Sequence, residues 1–119
     1  MKLVFLLMAS LIATAGWAKE PTPETLATGK GVYEKNCVIC HGDKGAGDGV
    51  AGLALKPPPR NFKTGNFTNA KNHEKPTVDE VFNAVTNGLS GTPMAAYSSL
   101  SEADRRAVAY YVLSLRSGK

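Results

Sequence analysis

The residues best equipped for chemistry are Cys37-Val38-Ile39-Cys40-His41. Two thiols three residues apart can each add to one of two neighbouring vinyl groups on a porphyrin edge. The next residue then lies below the ring plane, with an imidazole nitrogen in reach of the iron, so C-x-x-C-H is an attachment pattern for c-type haem. Three other readings compete for the same side chains. A thioredoxin-like C-x-x-C belongs in a βαβ context, which the helical and glycine-rich flanks do not supply. A zinc site wants four ligands, and the chain's two cysteines and two histidines, His41 and His73, would all have to meet. A structural disulfide within C-x-x-C stays open. The expectation carried forward is one covalent haem c with its iron.

Haem iron used for electron transfer usually has two strong axial ligands, and Met with His is one common pairing. The three methionines are Met1, Met8 and Met94, and the first two fall in a segment expected to be removed. Met94 sits in Gly91-Thr92-Pro93-Met94-Ala95-Ala96-Tyr97, a loop that Pro93 stiffens by fixing its own φ and restraining Thr92. Methionine otherwise fills core gaps. With the C-x-x-C-H upstream, His41 and Met94 are the expected metal ligands. His73 lies in the polar run Lys71-Asn72-His73-Glu74-Lys75 and is expected in solvent.

Positioning such a group calls for short helices. Residues 1–18 read as a secretory signal peptide: Lys2, an apolar run from Leu3 to Ile12, then small residues ending at Gly16-Trp17-Ala18. That run is shorter than a comfortable membrane span, so no stable membrane insertion is expected after cleavage. Residues 19–119 are expected to make one domain. A helix is expected from about Pro23 to Lys35, capped by Thr22, with Leu26, Gly29, Tyr33 and Cys37 on one face. Residues 42–76 are rich in Gly and Pro, suited to wrapping an edge of a flat ligand with Leu53, Leu55, Phe62 and Phe67. Within them, Arg60 and Asn61 are candidate partners for a haem propionate. A second helix spans about Val78 to Asn87, with a Thr77/Glu80 capping box, apolar residues at 78, 81, 82 and 85, and Gly88 as its stop. A last helix spans about Glu102 to Leu115, capped by Ser101 and striped by Val108, Tyr111, Val112 and Leu115. No strand pattern of useful length is present, and the class is all-α, three to five short helices.

Charge narrows the partners. The 119 residues carry fourteen Lys and Arg against ten Asp and Glu, and loss of the leader with its Lys2 leaves a net charge of +3. With no run of five like charges, this excess is far too weak to argue for nucleic acid, and no nucleic-acid partner is expected, while an acidic protein surface would be attracted.

These features in this order resemble the class I monohaem cytochromes c, and the bacterial periplasmic members in particular, across about residues 24–116. The resemblance rests on Gly29-x-x-x-Tyr33-x-x-x-Cys37, the C-x-x-C-H, the Gly-Thr-Pro-Met94 loop, and the closing Val108-Ala109-Tyr110-Tyr111-Val112. It implies a fold wrapped around the haem, a crossing of the first and last helices at Gly29, Tyr33, Val108 and Tyr111, and Met94 as distal ligand. It also implies a proline of the 57–59 run, taken as Pro58, packing beside the proximal histidine. The only tryptophan, Trp17, lies in the leader, so the tryptophan that mitochondrial members place near a propionate has no counterpart here.

The expected function is a periplasmic, monomeric electron carrier rather than an enzyme, meeting redox proteins through acidic docking surfaces. Two rivals are a haem redox subunit or small peroxidase of a larger complex, and a sensor whose Met–iron bond yields to a small gas.

Overall fold

The computed structural model describes residues 20–117, so the expected signal peptide lies outside the described residues. Among these there are four α-helices and one 3-10 turn, and no strand: α1 (Pro23–Asn36), α2 (Val38–His41), the turn Gly52–Ala54, α3 (Val78–Asn87) and α4 (Glu102–Ser117). No helix among them is long and apolar enough to cross a membrane.

The helix ends are written in local chemistry. Thr22 Oγ1 accepts the Thr25 amide at 3.1 Å, and Pro23 occupies the first turn, where a missing N–H costs nothing. At α3, Thr77 Oγ1 accepts the Glu80 amide at 3.2 Å while Glu80 Oε2 accepts the Thr77 amide at 2.8 Å, closing the capping box. The other oxygen of Glu80 accepts the Lys71 amide at 2.9 Å, which ties the preceding loop to the helix start. At α4, Ser101 Oγ accepts the Asp104 amide at 3.1 Å.

α4 packs against both α1 and α3. At the α1–α4 crossing, a methyl on Gly29 would collide with the carbonyl of Ala107 and lie 2.9 Å from the Tyr111 Cβ. Only glycine permits this backbone approach. Beside it, Tyr33 is fully buried, tilts against the Tyr111 ring at 5.2 Å, and donates its hydroxyl to the Gly42 carbonyl at 2.6 Å. Val108 is fully buried as well. The core continues through Val81 and Val85 of α3, Val112 of α4, and Phe62 and Phe67 from the long loop. Phe82 is half-buried against this core and carries the guanidinium groups of Arg105 and Arg106 over its ring.

The loop does not use all its apolar residues in one way. Phe62 and Phe67 are buried, whereas Leu53, expected to wrap a ligand, is 77% exposed. It belongs to the single 3-10 turn, whose backbone lies against Cys40 and whose side chain therefore points to solvent.

Candidate cofactor site

α2 is one turn long, and that turn sets the geometry of the motif. The amides of Cys40 and His41 both donate to the Cys37 carbonyl, at 3.2 and 2.8 Å, so the two thiols and the imidazole are presented from a single fixed turn. α1 delivers this turn directly, because it ends at Asn36, whose side-chain amide donates back to the Val32 carbonyl at 2.9 Å. The following loop then closes over the motif. The amides of Gly47, Gly49 and Ala51 donate in turn to the carbonyls of His41, Cys40 and Ile39, at 2.8, 3.1 and 2.9 Å. Gly49 lies so close that any Cβ would run into the carbonyls of Val38 and Ile39.

His41 is held from two directions. Its Nδ1 meets the Arg60 carbonyl at 3.3 Å, and its ring stacks on Phe62 with centroids 4.5 Å apart. The carbonyl accepts a proton from Nδ1, which selects the tautomer whose Nε2 lone pair is free. Burial lowers the imidazole's pKa, and the Arg60 carbonyl works against that shift. The neutral ring is the form that binds metal, and metal-bound histidines typically give their other N–H to a carbonyl or carboxylate.

Cys37, Cys40, His41, Pro58, Arg60 and Met94 all line one cleft, of about 1210 Å³ counted to its open mouth. Much of the remaining wall is apolar: Leu55, Phe62, Phe67, Val81, Val85, Leu89 and Val112. The two cysteines are not bridged to each other. Burial, with Cys40 adding to it, pushes the Cys37 thiol up to about 11, so its neutral form is strongly favoured. A thioether formed by adding S–H across a vinyl group would keep that sulfur neutral. Unbridged thiols, an imidazole with one nitrogen pinned, a thioether sulfur and an apolar wall fit a covalently attached haem. Cys37, Cys40, His41 and His73 do not assemble into a zinc site: no group of three or more His, Cys, Asp or Glu among the described residues is placed to hold a metal ion.

Several side chains have roles that the sequence did not reveal. Arg60 supports His41 through its carbonyl, while its guanidinium donates to Thr68 Oγ1 at 3.2 Å on the cleft wall. The histidine's neighbours are thus the Arg60 backbone and the Phe62 ring, and the three prolines contribute to the wall. Asn61, paired with Arg60 as a candidate propionate partner in the sequence reading, also shapes a turn, its Oδ1 accepting the amides of Lys63 and Thr64. His73 is exposed, lies outside the cleft wall, and serves the fold through its carbonyl, which accepts the Phe67 amide at 3.0 Å. Thr68, Asn69 and Tyr97 join the wall with no sequence signal beyond their polarity or aromatic type.

Residues 24–112 match the protein family described as cytochrome C oxidase, cbb3-type, subunit III. Two curated relatives are each described as a cbb3-type cytochrome c oxidase subunit CcoP. The one from Azospirillum brasilense is 34% identical over 91 residues, 76% of this chain and 28% of the relative. The one from Azospirillum sp. (strain B510) is 37% identical over 95 residues, 79% of this chain and 30% of the relative. The chain therefore spans less than a third of the length of these relatives. Among solved structures, a chain of the Kuenenia stuttgartiensis reducing HAO-like protein complex is similar, with a TM-score of 0.68 and 32% identity, over 82% of this chain and 43% of that one.

Proposed function

The chain belongs to the family of cytochrome c oxidase, cbb3-type, subunit III, a monohaem c-type cytochrome domain, and on that premise we propose that it carries electrons in the periplasm, within a respiratory or dehydrogenase-linked chain, with His41 and Met94 as axial ligands. Covalently attached haem c with its iron is the cofactor, and carrying electrons is what such a domain does. When bound, the haem supplies an iron that passes between ferric and ferrous states.

The observation that carries the reading is the meeting of Cys37, Cys40, His41 and Met94 in one cleft wall. In the proposal, the sulfurs of Cys37 and Cys40 anchor the ring. The Arg60 carbonyl orients His41, and Met94 would supply the second iron ligand, a weak sulfur donor that would raise the potential relative to a second histidine. Two such ligands leave no open position for substrate, which favours a carrier over a peroxidase. Pro58 forms wall, and Arg60, steadied by Thr68, would pair with a propionate.

Among the described residues the strongly exposed large hydrophobic side chains are Ile39 (58%), Val50 (81%) and Leu53 (77%). All three belong to the C-x-x-C-H or to the loop hydrogen-bonded along it. Residues 30–63 also hold six of the basic side chains against three acids, so they carry the molecule's excess charge. This face suits brief contact with a redox protein bearing an acidic surface, steered by charge and small in area. A second reading, in which the chain serves as a subunit, is favoured by the relatives' description as oxidase subunits much longer than this chain.

The test is a reduced-minus-oxidised spectrum of the purified protein together with its intact mass. The expected result is low-spin haem, one haem of added mass, and no residues 1–18. Met94→Ala should abolish the thioether signature of the ferric spectrum and change the midpoint potential. A resting high-spin spectrum, or a Met94→Ala variant indistinguishable from the parent, would refute His/Met ligation.

A further inference from the structure

The loop that carries Met94 is closed mainly upon itself. The amide and hydroxyl of Thr92 both donate to the Leu89 carbonyl, at 3.1 and 2.7 Å, and the Met94 amide reaches Thr92 Oγ1 at 3.3 Å. Such a turn holds its own shape and says little about where the sulfur stands relative to His41.

Tyr97, three residues on, joins the loop to the rest of the molecule twice. Its amide donates to the Val85 carbonyl at 2.8 Å, tying the loop to α3. Its hydroxyl donates to the Asn36 carbonyl at 3.1 Å, across 61 positions of sequence. Asn36 ends α1 and immediately precedes Cys37. Among the described residues, this is the one hydrogen bond that runs from the Met94 loop to the segment bearing the cysteines and His41. The Asn36 carbonyl is an orphan acceptor of a helix end, where carbonyls lack intrahelical partners. Asn36 and Tyr97 both line the cleft, so the link joins two parts of its wall.

We propose that Tyr97 is a positioning residue for the distal ligand: its hydroxyl, latched on the Asn36 carbonyl, keeps the Met94 loop shut against the haem iron. The inference rests on Met94 being that ligand and names what holds it there. A thioether binds iron weakly, so occupancy of the axial position depends on how firmly the loop stays closed. With the loop closed, Met94 would hold the iron; were it to open, the sulfur would leave and an external base could replace it, a ligand exchange with no change in oxidation state.

The experiment uses the intact ferric holoprotein and imidazole as the competing ligand. Tyr97→Phe removes only the hydroxyl. Since a neutral hydrogen bond is worth roughly 1 kcal/mol net, imidazole should bind about five- to tenfold more tightly than to the parent. The thioether absorption band should also be lost at lower imidazole concentration. A tyrosine that merely adds global stability would shift the denaturant midpoint and leave imidazole affinity unchanged, and affinity within twofold of the parent overturns the proposal. If Tyr97→Phe does not assemble, the parent still decides. Imidazole binding should displace the Tyr97 ring resonances and leave those of Tyr111, at the α1–α4 crossing, in place, and unmoved Tyr97 resonances refute the latch. Failure of the underlying ligation is separately visible: the parent would then lack a thioether band before any variant is made.

Discussion

Gly29 shows how much can depend on a missing side chain. Its Cα faces the Ala107 carbonyl, a backbone atom that cannot move aside without shifting α4. Gly29→Ala should therefore destabilise the protein by about 1–3 kcal/mol despite alanine's better helix propensity, read as a lower urea midpoint. This position was legible in the sequence, because the Gly29–Tyr33–Cys37 spacing repeats with the helix. The carboxylate of Glu80 was only half legible. The box with Thr77 follows from spacing, but the second bond, from the Lys71 amide, depends on how the loop returns. The Lys71 and Thr77 amides together hold the Glu80 carboxyl below the usual carboxylate range. A depressed native pKa means that its stabilisation is complete above the unfolded-state value and fades as pH falls through the native one. The difference in urea midpoint between the parent and Glu80→Gln should accordingly be largest near neutrality and shrink as the solution is acidified below the carboxylate range. A constant difference would show that the charge is immaterial.

The three longer helices, α1, α3 and α4, needed only short-range signals, and the structure places their boundaries close to the sequence expectation, with α4 running on to Ser117, whereas the one-turn α2 was not foreseen. The loop between residues 42 and 76 resisted such reading, because its order comes from partners far away in sequence. Arg116 is the clearest case. From the last turn of α4 its guanidinium donates to the carbonyls of Phe62, Gly65 and Glu74, at 3.0, 2.9 and 3.1 Å, and lies over the Phe67 ring. A basic residue near a helix C-terminus suggests only a favourable dipole. Arg116→Ala should cost about 2–3 kcal/mol through three lost acceptor contacts, and hydrogen exchange should quicken in residues 62–74 before it does in α1. Uniform quickening would mean that the loop is held elsewhere. For the same reason Leu53 was misjudged: apolarity sets what a loop residue can do, and tertiary placement decides which option is used.

At the scale of the whole molecule, the cleft is also a large share of the core. Phe62, Phe67, Val81, Val85 and Val112 belong both to its wall and to the buried cluster. A chain prevented from acquiring haem, as in Cys37→Ser/Cys40→Ser, should lose cooperative thermal melting while retaining helical circular dichroism, because packing fails before backbone bonding does. The excess of basic groups in residues 30–63 belongs to this scale too. Electron transfer to an acidic redox protein should slow as salt rises from 10 to 200 mM, roughly the range over which the Debye length shrinks from about 30 Å to under 10 Å. A salt-independent rate would leave the apolar face as the sole docking determinant. Finally, the amides of Gly47, Gly49 and Ala51 stitch down the carbonyls of His41, Cys40 and Ile39 one after another. Once that seam is drawn, the pentapeptide is no longer free as an extended strand. The order of manufacture this favours is to weld the pigment on while the stretch is still unfurled, with the seam closing afterwards.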